Sequence, residues 1–274
     1  MTTTQNAYAL GASDDELDRL DLQARYYRRA TIDAMRWAGI EPGMRVLDLG
    51  SGTGAVAIDA ARLVGPTGSV LGLDAGEIAV RTANERVTRL GLEQVRFVQA
   101  DVTTWEADEG FDALTGRLIT MYLPDPSAAI ARLTRYLRPG GVVLLQEFAI
   151  SSAGQVGGPR LFRETLDRVL ATFRALGVPT DLGYDLGRVF RGAGLDQPTM
   201  ALGGQWEDGT DAVAHGLLAG VVRTLLPAMT AHGIATAAEI DIDTLEDRLR
   251  AASEGSVGIM APLLISAWAR TPGA

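Results

Sequence analysis

Between residues 44 and 148 the sequence alternates short apolar runs with amphipathic stretches, and few folds accommodate that pattern. Residues 44–49, "VLGLD" (70–74), "VRFVQAD" (95–101), "FDALT" (111–115) and "VVLLQEF" (142–148) have the length and Val/Leu content of strands. Residues 54–64 read as a small-residue helix. A second helix over 77–90 places Ala79, Ala83, Val87 and Leu90 on one face and ends at Gly91. Asp125 and Pro126 open a third as N-cap and first helical residue, with Ile130, Leu133 and Leu137 facing inward. "EPGM" and "RPGG" read as turns. Strands joined through helices must pair in parallel, with both sheet faces covered, and the unbroken apolar run at 142–148 suits a central strand. Crossovers are right-handed, and a ligand belongs at the carboxyl ends of the strands.

The flanks are more helical. Residues 14–38 predict a helix capped by Ser13 or Asp14, with Leu17, Leu20 and Ala24 on one face. Helices are expected over 159–176, 185–193 and 211–226, the last stopping before Pro227, and a strand over 198–204. Asp243 and Glu246 have capping-box spacing for a further helix, and residues 263–270 read as a last strand. The expected organisation is one domain over 1–274. It comprises an N-terminal helical segment (1–38), a cofactor-binding core (40–204), a helical insertion covering the ligand edge (205–258) and the last strand (260–271).

Composition removes several function classes. The net charge is −9 and no Lys/Arg-rich run occurs, so nucleic acid and anionic membrane surfaces are not expected partners. Without cysteine there is no disulfide, thiolate metal site or cysteine nucleophile. The two histidines, His215 and His232, lack metal-binding spacing, so no metal is expected. The N-terminal residues do not have the form of a signal peptide, and "VGIMAPLLISAWA" is too short to span a bilayer. The expected location is the cytoplasm, as a monomer or homodimer.

The string "VLDLGSGTGA" (46–55) carries the chemistry. It satisfies the G-x-G-x-x-A form of a dinucleotide turn and equally a G-x-G-x-G pattern. Asp48 separates the two, because a carboxylate there would face a dinucleotide's pyrophosphate on the helix N-terminus. S-adenosylmethionine has an amino group, a sulfonium and no phosphate, and Asp48 suits it. Asp74 ends the second strand, where it can accept both ribose hydroxyls; that spacing fits NAD as well. Asp101 ends the third strand, where it can accept from an adenine amino group beside the Val102 N–H. Asp is also common after strands as a turn or cap residue.

In order, "VLDLGSGTG", "GLDAG", "VQADV", "FDALTGRLITMYLPDP" and "LRPGGVVLLQE" resemble the class I S-adenosylmethionine-dependent methyltransferases. The likeness is to the bacterial small-molecule branch of quinone-biosynthesis and natural-product enzymes, over residues 40–150. It implies a Rossmann-like α/β three-layer sandwich with a seven-stranded sheet in order 3-2-1-4-5-7-6, the last strand antiparallel. It also implies that Asp48, Gly50, Ser51, Gly52 and Gly54 line the methionine end, Asp74 holds the ribose and Ala75 lies beside the adenine. Asp101 and Val102 would read the adenine edge, and Gly116 and Arg117 would lie near the sulfonium. Ser51 stands where many relatives have cysteine.

Methyl transfer is an in-line displacement that needs alignment and a dry site, with a base only if the acceptor must lose a proton. Glu147, at the end of the fifth strand, is a candidate base or acceptor-orienting group; otherwise it is a solvated strand end. His215 is a candidate base in the helical cover; otherwise it is a packed or surface histidine. Tyr8 and Gln23 are candidate cofactor contacts. Tyr26, Tyr27, Trp206 and Arg223 are candidate acceptor contacts, although the tyrosines suit packing and Arg223 a solvated helix face. The apolar cover favours an apolar or aromatic small-molecule acceptor. The alternatives are a cyclase or other non-methylating enzyme that keeps the cofactor, an NAD-dependent oxidoreductase, which Asp48 opposes, and a non-enzymatic binding module.

Overall fold

The structure is a computed structural model that describes residues 14–108, 110–154, 158–255 and 258–273. The chain divides into two compact units. One contains Tyr27–Glu147, Leu182–Gly203 and the chain from Leu264 onward. The other contains helix α1 up to Tyr26, Phe148–Asp181 and Gly204–Leu263. The sequence reading kept 40–204 together; in the structure, Phe148–Asp181 groups with Gly204–Leu263.

The first unit is built on the sheet. Its strands are β1 (Arg45–Leu49), β2 (Ser69–Asp74), β3 (Val95–Gln99), β4 (Phe111–Arg117), β5 (Leu137–Ala149), β6 (Thr199–Gly203) and β9 (Leu263–Arg270), in order β3-β2-β1-β4-β5-β9-β6. Neighbours among β1–β5 run parallel, and β6 pairs antiparallel with β9. This is the expected seven-stranded order. The "RPGG" turn is absorbed into β5, whose register against β4 slips between Phe111 and Ala113.

Helices α2 (Ala55–Val64) and α3 (Glu77–Arg89) and the last turns of α1 (Asp14–Ala38) bury Ile58, Ala61, Val87 and Met35 against Val46, Val70, Ala113 and Leu144. At roughly 25 cal/mol per Å² of apolar surface, this packing is what holds the crossovers on the sheet. Arg28 of α1 adds a bidentate pair with buried Asp59 of α2. Helix α4 (Pro126–Leu133) starts as expected: the Asp125 carboxylate accepts from the Ala128 N–H at 2.9 Å, and Pro126 occupies the first turn. Helix α6 (Leu182–Gly192) sets Gly183 against Ile265 of β9, where a Cβ would have only 2.6 Å.

The second unit is helical, with α5 (Arg160–Ala175), α7 (Val213–Ala231), α8 (Ala237–Ile240) and α9 (Ile242–Ala252), plus a two-stranded sheet of β7 (Trp206–Glu207) and β8 (Ile259–Met260). Two local expectations are corrected. Helix α7 does not stop before Pro227 but continues to Ala231. Proline costs a helix about 3 kcal/mol, and burial of Leu225 and Met229 on either side offsets that loss. The capping box is formed by Thr236 and Glu239 at α8, not by Asp243 and Glu246. The α9 N-cap is Asp241, whose positive φ of 45° carries the chain directly from one helix into the next. Helix α7 is long and apolar enough to cross a membrane by length and composition alone. It nevertheless buries His215, Leu218, Val222 and Leu225 inside its unit.

Candidate functional site

In the sheet unit the carboxyl ends of β1, β2 and β4 meet around the glycine turn. Gly50, Gly52 and Gly54 all have positive φ (61°, 52° and 85°), a backbone that L side chains rarely adopt. The three differ in what surrounds them. A Cβ on Gly50 would strike Ile119 at 2.7 Å and one on Gly54 would strike Phe97 at 2.6 Å, whereas Gly52 faces open space. The turn is thus packed at its ends and open in the middle. Gly54, the N-cap of α2, has no side chain with which to accept the helix's first N–H groups.

Asp48 is buried beneath this turn. Thr115, its register partner on β4, donates a hydroxyl hydrogen bond to Asp48 Oδ1 at 2.9 Å. Oδ2 is buried and makes no hydrogen bond of good geometry. Burial pushes the carboxyl up to about 7, against relief from Thr115, the Arg117 charge and, least of all, the Ala57 N–H. Ser51 Oγ is likewise buried without a partner. Arg117 reaches Thr31 of α1 at 3.0 Å. Burial works against its guanidinium charge, while Asp48 and Asp59 support it.

Asp74 ties the turn together: Oδ2 accepts the Gly52 N–H and Oδ1 the Gly76 N–H, each at 2.8 Å. Ala75 is exposed beside it, and its carbonyl accepts from Gln99. Asp101 lies past the end of β3, exposed, with Oδ1 accepting from the N–H and hydroxyl of Thr103 at 2.8 and 2.7 Å. Those two bonds hold its carboxyl below the usual range. Val102 is buried, and its carbonyl accepts from Arg132, which also binds the Trp105 carbonyl. Gly116 lacks room for a side chain because Ile119 Cγ2 lies at 2.9 Å.

Glu147 is 1% exposed. Its Oε1 accepts the Thr120 N–H at 2.7 Å, the Thr120 hydroxyl at 2.5 Å and the Met121 N–H at 3.3 Å. Burial pushes the carboxyl up to about 7 despite these bonds. It is not a solvated strand end. Tyr27 is buried in the same unit.

The other candidates lie in the helical unit. Gln23 accepts from buried Arg19 at 2.8 Å. The Tyr26 hydroxyl donates to the Gln205 carbonyl, and burial with the nearby Glu207 charge pushes the phenol upward. Glu207 caps α7, accepting the Val213 and Ala214 N–H groups at 2.9 and 3.0 Å. His215 is fully buried, with Nε2 2.7 Å from Ser253 Oγ and the Phe162 ring edge-on. The Ser253 hydroxyl also donates to the Leu249 carbonyl at 3.0 Å. Nδ1 is buried without a hydrogen-bond partner, and burial lowers the imidazole's pKa. Trp206 is half-exposed, and exposed Arg223 pairs with Asp243 at 3.2 Å. Tyr8 lies outside the described residues.

Sequence reasoning missed Thr115, Thr120, Arg132, Glu207 and Ser253. A lone threonine at the end of an apolar strand was a signal for Thr115. The others are brought to their partners only by tertiary contacts. Among the described residues no group of acidic or histidine side chains has the geometry to hold a metal.

A sequence model described as a methyltransferase domain matches residues 40–172. The ubiquinone/menaquinone biosynthesis C-methyltransferase UbiE of Shewanella halifaxensis is 35% identical over 127 residues, 46% of this chain and 49% of that protein. UbiE of Pseudomonas putida is also 35% identical over 127 residues, 46% of this chain and 48% of that protein. The chain thus spans about half the length of the curated relatives it matches. Among solved structures, the YcgJ protein from Bacillus subtilis superposes with a TM-score of 0.54 at 18% identity, covering 90% of this chain and 100% of that one. The [4+2]-cyclase SpnF superposes with a TM-score of 0.51 at 22% identity, covering 90% and 82%. At these identities the structural likeness shows the fold alone.

Proposed function

We propose that the protein transfers a methyl group from S-adenosylmethionine to a small organic acceptor, a reading supported by the match of residues 40–172 to a methyltransferase domain and by the likeness to C-methyltransferases. The observation that carries this reading is the buried Asp48 carboxylate at the end of β1, just before the glycine turn, whose Oδ2 makes no hydrogen bond of good geometry. A buried unpaired carboxylate is costly, and a cationic ligand group removes the cost. A diphosphate in the same place would add to it. Ser51 Oγ, also unpartnered, offers a second polar contact.

S-adenosylmethionine, when bound, supplies a methyl carbon activated by its sulfonium. Asp48 holds the ammonium end, and the N–H groups at the start of α2 suit a carboxylate. Asp74 accepts from the ribose with the lone pairs that Gly52 and Gly76 leave over, and keeps the turn in shape. Asp101 and Val102 border the adenine, on a loop that Arg132 clamps from behind. Gly116 and Arg117 lie at the reacting end, with Arg117 held by Thr31. None of these roles requires a base, in keeping with catalysis by alignment and water exclusion.

The acceptor is an apolar or aromatic metabolite. The names of the curated relatives, ubiquinone/menaquinone biosynthesis C-methyltransferases, support that class. Exposed Trp206 is the acceptor-contact candidate that presents an aromatic face to solvent. The non-methylating alternative is not favoured, because the matching family and the curated relatives are methyltransferases. Calorimetric titration with S-adenosylmethionine, S-adenosylhomocysteine and NAD tests the reading. Micromolar binding of the first two without NAD supports it, and binding of NAD alone overturns it. An acceptor screen scored by S-adenosylhomocysteine release then tests transfer itself.

A further inference from the structure

The segment after β4 is held from three sides. Leu118 adopts a left-handed backbone (φ 59°), and its N–H is donated to the Gln146 carbonyl at 2.8 Å. Such a conformation is unfavourable for a non-glycine residue, so it persists only where its surroundings impose it. Ile119 turns back onto the sheet and occupies the space that a Cβ on either Gly50 or Gly116 would need. Thr120 and Met121 then hook onto Glu147 through two N–H groups and a hydroxyl, all at one carboxylate oxygen.

A general base must reach the proton it removes. Glu147 is instead buried behind this segment and directed at its backbone. We propose that Glu147 is a positioning residue. It fixes Leu118–Met121 so that Ile119 wedges against Gly50 and Gly116, setting the β1 turn and the end of β4 in one geometry before a ligand binds. This rests on the reading of the cradle as a S-adenosylmethionine site, where a misplacement of about 1 Å can cost on the order of 100-fold in rate.

The test uses Glu147→Gln, Thr120→Val and Ile119→Ala in the full chain, with S-adenosylhomocysteine as the probe. Two quantities are measured: its Kd by calorimetry, and amide hydrogen exchange followed peptide by peptide. Glu147→Gln is expected to speed exchange over 117–122 and 49–54 by about tenfold while β2 keeps its protection. The Kd is expected to rise about tenfold, because the cradle is no longer preorganised, and saturating ligand should restore protection. Ile119→Ala should do the same with Glu147 intact, and Thr120→Val should do so more weakly. Unchanged exchange and affinity in Glu147→Gln would overturn the inference, as would exchange that rises uniformly across the sheet. If the unaltered protein does not bind S-adenosylhomocysteine, the proposed function fails. The local exchange comparison would still decide whether Glu147 holds the segment.

Discussion

Asp48 and Thr115 face each other in register on adjacent parallel strands, and the threonine hydroxyl supplies the one well-formed hydrogen bond that the buried carboxylate receives. The pair explains how a carboxyl can be kept beneath a glycine turn without a salt bridge in direct contact. It also makes the charge of Asp48 depend on what occupies the cradle.

The pH dependence of stability follows from that dependence. Asp48 and Glu147 have folded-state pKa values of about 7, against 3.8 and 4.5 unperturbed. The folded state therefore binds more protons between these limits. The stability these groups contribute is fully present below about pH 4 and is lost as pH rises through 7. Asp48→Asn should raise the stability of the ligand-free protein by roughly 1–3 kcal/mol at pH 8, with no gain at pH 4. Thermal melts at the two pH values measure this, and equal shifts at both would contradict it.

Binding of S-adenosylmethionine should release a proton near pH 6.5, because an ammonium beside Asp48 favours its ionised form. Calorimetry in buffers of different ionisation enthalpy would detect the release. It should vanish in Asp48→Asn, whose affinity should fall about 10- to 100-fold for a lost charged pair. A heat independent of buffer would count against a protonated Asp48 in the free protein.

Asp74→Ala should weaken S-adenosylhomocysteine binding by one to two orders of magnitude, roughly 1–3 kcal/mol. It should also lower the melting temperature, because the Gly52 and Gly76 N–H groups lose their acceptor. Unaltered affinity would remove its ribose role and leave only the structural one.

His215→Ala should destabilise the protein by about 2–4 kcal/mol through the cavity left beside Phe162 and the broken contact with Ser253, with cofactor affinity unchanged. Burial lowers the imidazole's pKa, so its stabilising contribution is present above about pH 6.5 and is lost as pH falls below it. The variant should therefore show a shallower loss of stability on the acid side. Lower turnover with full stability would instead restore the base assignment.

Glu207→Gln should lower stability by about 0.5–1 kcal/mol, because it removes the charge at the α7 N-terminus while retaining an acceptor. Denaturant melts would show it. A stabilised variant would mean that burial of the Glu207 charge outweighs its capping.

The strand–helix alternation, the sheet order and the glycine turn were legible because they depend on local pattern. Apolar runs of strand length, caps such as Asp125-Pro126 and glycines needing positive φ are written into neighbouring residues. The choice of Asp48, Asp74 and Asp101 as ligand-edge acids came from the same logic, since the ends of parallel strands converge. Tertiary structure decided what each acid does there. Asp48 is left with a bare oxygen because its register partners are Thr115, which has one hydroxyl to give, and Gly72, which has no side chain. Asp74 is engaged with the turn, and Asp101 with its own loop. Glu147 and His215 looked like candidate bases from their positions, but the fold buries both. One is aimed at the backbone of Thr120 and Met121, the other at Ser253. Burial and partnership arise from contacts between residues far apart in the chain, so the strand and helix periods that locate an ionisable side chain carry no record of them.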